Sequence, residues 1–151
     1  MARQSIQTLT FLQGLAADEV AQAMQAVATA MQQLEQARAQ MTMLEQYQQE
    51  YQQRWQQSTQ SGIKADLYRN FQGFFSQLEL AMRGQNAQIE HLQSALQQQQ
   101  SLLQEKQRKQ KSYEVLIARA QQAMQSAERK RDQKMMDEFA SRAKRVHGQA
   151  V

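Results

Sequence analysis

The chain has 151 residues, no proline, 7% aromatics and a mean hydropathy of −0.79, too few large apolar side chains for a globular core. Its lack of cysteine excludes a disulfide framework and cysteine-based metal or redox chemistry, and fits a reducing compartment. The +4 net charge is uneven, with three basic against five acidic side chains in residues 1–62 and fifteen against nine in residues 63–151, so the second half suits an acidic partner, a membrane surface or nucleic acid.

The opening residues, Met1-Ala2-Arg3-Gln4-Ser5, lack the apolar core and cleavage site of a signal peptide. No apolar run approaches the ~18 residues needed to span a bilayer, so the chain reads as soluble and cytoplasmic. A first helix is predicted from roughly residue 5 to 57. Ser5 or Thr8 could cap it, and Gly14 weakens it before Leu15. From Val20 a heptad emerges, with Val20, Val27, Leu34, Met41, Gln48 and Trp55 at a positions. Ala23, Ala30, Ala37, Leu44 and Tyr51 occupy d, and Met24 and Met31 are expected to widen the apolar stripe. The alanine-rich d row would let a partner helix approach closely.

The pattern then breaks at Ser58-Thr59-Gln60-Ser61-Gly62, a cluster of turn formers in which Gly62 suits the residue just past a helix end. A turn over 58–63 is short enough for a helical hairpin. The second helix is predicted over 64–147. Its a positions are Tyr68, Phe75, Met82, Ile89, Leu96, Leu103, Gln110, Ile117 and Met124. Its d positions are Phe71, Leu78, Gln85, Leu92, Gln99, Lys106, Tyr113, Ala120 and Ala127. About eight heptads is well past what a coiled coil requires, and at ~1.5 Å per residue the helix would run roughly 120 Å. Glutamine, more than a fifth of the chain, is itself a good helix former and coats the remaining faces.

The expected fold is therefore all-α, a long antiparallel two-helix coiled-coil hairpin forming one domain over residues 1–151, with a C-terminal helical overhang. Gly73 and Gly84 fall outside the seam, which predicts a loosened stretch over 64–84. Residues 85–118 would be paired, and 119–147 would lie beyond the seam.

Catalytic chemistry finds no foothold. There is no Gly-rich phosphate loop, nucleophile elbow or Ser-His-Asp arrangement, and His91 and His147 lack ligand-spaced companions. The chain is not expected to be an enzyme, or to hold a cofactor, metal or small-molecule substrate. Two other patterns remain. Gln40, Leu44, Tyr47 and Tyr51 on the first helix and Phe74, Leu78, Ala81 and Gln85 on the second share g and d positions, so they would lie level as one apolar strip near the bend. That strip is either a widened core edge or a docking patch. Beyond it, the tail from Ala127 to Arg142 mixes dense charge with a lone large aromatic, Phe139. Acids interleave with its bases and no stacking aromatics accompany them, so nucleic acid is not the expected partner.

The run Asp132-Gln133-Lys134-x-Met136-Asp137-Glu138-Phe139-Ala140-x-Arg142 resembles the C-terminal signature of the flagellar export protein FliJ family. Tyr47-Gln48-x-Glu50-Tyr51, the short Ser-Gly-Ile bend and the overall length agree with it. The resemblance implies a component of the flagellar type III export apparatus similar to the γ stalk of rotary ATPases. Its open end would insert into the export ATPase hexamer and promote ring assembly and activity. It would also contact the cytoplasmic part of the export-gate membrane protein and substrate-specific export chaperones, placing it at the inner membrane of the flagellar base. Carried over, the ATPase-binding residues would be Asp132, Gln133, Lys134, Met136, Asp137, Glu138, Phe139, Ala140 and Arg142. The gate-binding residues would be Gln40, Leu44, Tyr47, Tyr51, Phe74, Leu78 and Ala81. Gln85 stands where the family pattern leads one to expect histidine. The rival readings are the equivalent stalk of a virulence secretion system and a purely structural, self-associating coiled coil.

Overall fold

The computed structural model describes residues 2–149, and the side chains of 3–148. It consists of two helices that pack on each other as a hairpin, α1 (Ala2–Gln60) and α2 (Ala65–Gln149), with no strand among the described residues. Both helices are longer than the sequence predicts, and the turn contracts to residues 61–64. Gly62 has φ 82°, the left-handed conformation that ends a helix without steric penalty because glycine has no Cβ. The last turn of α1 leaves carbonyls without intrahelical donors. Two hydroxyls reach back to that turn, Thr59 Oγ1 to Gln56 O at 2.7 Å and Ser61 Oγ to Gln57 O at 2.9 Å. On the other side Tyr68 N donates to Lys64 O at 3.2 Å, and Asp66 places a negative charge in the first turn of α2, where the helix dipole favours it.

Both helices run without interruption through Gly14, expected to weaken α1, and through Gly73 and Gly84, in the stretch expected to be loosened. A Cβ added at any of the three would meet nothing within 4 Å, so none is kept for a close approach. Tertiary pairing over many turns outweighs a local propensity cost of ~1 kcal/mol per glycine. Nor does Thr8 cap the helix; its hydroxyl bonds to Gln4 O at 2.9 Å within it.

The chain divides into two compact units, one uniting Met1–Val20 with Glu105–Val151, the other spanning Ala21–Gln104. Burial in each follows the heptads. The buried residues are Ala16, Val20, Ala23, Ala30, Leu34, Ala37 and Leu78. Four of these are alanines seven residues apart on the d row of α1, the small side chains that let a second helix come close. Met24 and Met31, expected to widen the stripe, are instead more than half exposed, at 56% and 55%. The burial falls on the alanines of the d row, and these e-edge side chains lie outside it.

Candidate functional site

In the unit spanning 21–104, the strip of g and d residues becomes largely part of the seam. Tyr51 stacks on Phe74, with ring centroids 3.7 Å apart and planes at 15°, and meets Phe71 and Phe75 edge-on at 6.0 and 6.3 Å. Trp55 closes the cluster against Tyr68 and Phe71, while the Arg54 guanidinium sits 5.8 Å from the Tyr51 centroid. Phe74 is thus level with Tyr51 rather than with Tyr47. Leu78 is buried at 7% and Leu44 is half-buried. What faces solvent is Gln40, Ala81 and half of the Tyr47 ring, 49% exposed. Gln85 turns inward. Its amide Nε2 donates to Ala37 O at 2.8 Å and to Gln40 Oε1 at 3.1 Å, so it ties α2 to α1 across the seam. That role escapes heptad counting, because a glutamine at d looks like a seam defect until the small Ala37 side chain is seen to leave its carbonyl within reach.

In the unit of residues 1–20 and 105–151, Glu19 Oε2 lies 3.3 Å from Lys106 Nζ and 3.5 Å from Lys109 Nζ. Oε2 is itself occluded from solvent and meets both ammonium groups as ion-pair contacts rather than as well-formed hydrogen bonds. Lys106, followed by Lys109, holds the Glu19 carboxyl below its ordinary range. Lys111 pairs with Glu114 at 3.5 Å. Three of the four bases in the 105–111 cluster are therefore engaged within the hairpin, which leaves a broken basic face. α2 keeps partial cover at Ala120 and Met124, some residues beyond the predicted end of the seam. Every described side chain from Gln125 onward is exposed. Met135, Met136 and Phe139 stand 68%, 73% and 76% exposed and line an open groove with Glu138, Ala140 and Arg142. Asp132, Gln133, Lys134 and Asp137 share this uncovered segment.

No helix among the described residues is long and apolar enough to cross a membrane, and no group of three or more metal-binding side chains assembles in them. A paired coiled coil that runs out into a bare, aromatic-bearing helix defines the class of long helical hairpins. Within that class, the chain belongs to the flagellar FliJ family, whose model, described as "Flagellar FliJ protein", matches residues 5–149. It is 31% identical over 135 residues to the flagellar FliJ protein of Escherichia coli (strain K12), covering 89% of this chain and 92% of that one. The Salmonella typhi flagellar FliJ protein is similar to the same degree, 31% over 135 residues.

Proposed function

We propose that the protein is a component of the flagellar type III export apparatus that seats the uncovered end of α2 in the export ATPase ring, as a γ-like stalk that promotes ring assembly and hydrolysis. The observation that carries this is the bare helical run beginning at Gln125 with Phe139 at its centre. Large apolar side chains held three-quarters in water gain about 1.5–3 kcal/mol each when a partner buries them, and rigid aromatics dominate such contacts. The basic excess of the second half adds electrostatic steering toward an acidic surface. A second contact, with the cytoplasmic part of the export gate, falls to the exposed Gln40, Tyr47 and Ala81, and export chaperones share the same helical surfaces.

The test is to mix the purified protein with the export ATPase and follow hydrolysis and ring formation. Deleting residues 128–151, or replacing Phe139 with Ala, should abolish stimulation while circular dichroism stays helical. Full stimulation by the truncated chain would sink the proposal. In a second arm, Tyr47→Ala should weaken capture by the gate's cytoplasmic part severalfold and leave ATPase stimulation intact; equal loss of both would remove the separate gate surface.

A further inference from the structure

We propose that the Glu19–Lys106 contact sets the register in which α1 and α2 pair. Two helices with seven-residue repeats can pair in registers one heptad apart, and uniform apolar seams do not choose between them. Most of this seam is uniform in that sense. The d-row alanines Ala16, Ala23, Ala30 and Ala37 repeat every seven residues. Gln85, bonded to Ala37 and Gln40, would find Ala30 and Gln33 in the same places after a slip of one heptad. Such a slip moves the bend by only about three or four residues, into the turn formers Ser58, Thr59 and Gln60, at the cost of the left-handed Gly62 that now ends α1.

Lys106 is different. Among the a and d positions of the paired stretch, through Met124 on α2, it is the one charged residue, and it has one counter-ion across the seam, Glu19, at 3.3 Å. Lys109, on the g edge of α2, reaches the same oxygen at 3.5 Å from the side, so the carboxylate is held from two directions. The slip that satisfies Gln85 sets Lys106 beside Leu12 and Gln13. The opposite slip sets it beside Ala26 and Val27 and faces Gln85 with Leu44 and Tyr47. Either way a half-buried ammonium loses its carboxylate, and at best exchanges it for the neutral amide oxygen of Gln13. A charge at a seam position costs stability relative to an apolar side chain but penalises the wrong register more, which is how single polar residues specify coiled-coil alignment.

The experiment uses the full chain, which has no native cysteine, with spin labels on Asp18→Cys and Gln122→Cys, both exposed. A slip of one heptad displaces the labels along the helix axis by roughly 10 Å. The parent should give one narrow distance. Lys106→Leu should add a second population displaced by about that amount, with a thermal midpoint unchanged or raised; Glu19→Gln should also split the distance, and Lys106→Arg should keep it single. A single distance in Lys106→Leu overturns the proposal and transfers register selection to the aromatic cluster at the bend. A lowered midpoint with one distance overturns it too, because the pair would then be an ordinary stabilising contact.

Discussion

Glu19 faces two lysines of α2 at once. Its carboxyl is held below its ordinary value of 4.5 by Lys106 first and Lys109 second. A depressed folded value means that the pair's contribution is fully present above 4.5 and fades as pH falls through the lower folded value. Thermal unfolding of the parent and of Glu19→Gln should therefore differ at neutral pH and converge in acid, once the pH has fallen below the carboxyl's lowered folded value; a difference that persists in acid would show that the carboxylate charge is irrelevant. Neither this pair nor the Gln85 bridge was visible from the chain alone. Both lie between residues far apart in sequence, and which glutamate meets which lysine depends on a pairing level that composition does not specify. The exposure of the tail, by contrast, was legible, since a helix end with no neighbour needs no tertiary information to place its side chains.

At the level of the helices, periodicity was a faithful guide. In α2 nearly every half-buried side chain past the bend falls on an a or d position, through Met124. Local propensity was the weaker guide: Gly14 suggested a weakened α1 and Gly73 and Gly84 a loosened stretch, yet none of the three interrupts a helix. The seam holds whole turns in place, so a local preference of ~1 kcal/mol shifts stability without redirecting the fold. The alanine row has an energetic corollary. Ala37→Leu should overpack the closest approach, displace the Gln85 amide from its carbonyl and cost about 1–3 kcal/mol in urea denaturation, whereas Met24→Leu on the exposed edge should be near neutral. Equal tolerance of both would mean that the helices are not closely apposed along that row. Much of the strip near the bend is turned into the seam, because its aromatics found one another: once Phe74 stacks on Tyr51, Gln40, Tyr47 and Ala81 are the members left exposed.

For the molecule as a whole, the chain belongs to the flagellar FliJ family and folds as a helical hairpin, and among the described residues the uncovered part of α2 holds the most exposed large apolar side chains, Met136 and Phe139. That segment also has a consequence in time. A helix without a neighbour protects its amide protons only while its own turns hold, whereas amides along the alanine row wait for the hairpin to open. Hydrogen exchange should therefore run far faster over residues 125–148 than over 23–37, with a boundary near Met124. A uniform rate across both would mean that the tail is sheltered by contacts of its own. Adding a partner should slow only the turns it covers, so the bare helix doubles as a ruler on which the depth of insertion can be read amide by amide.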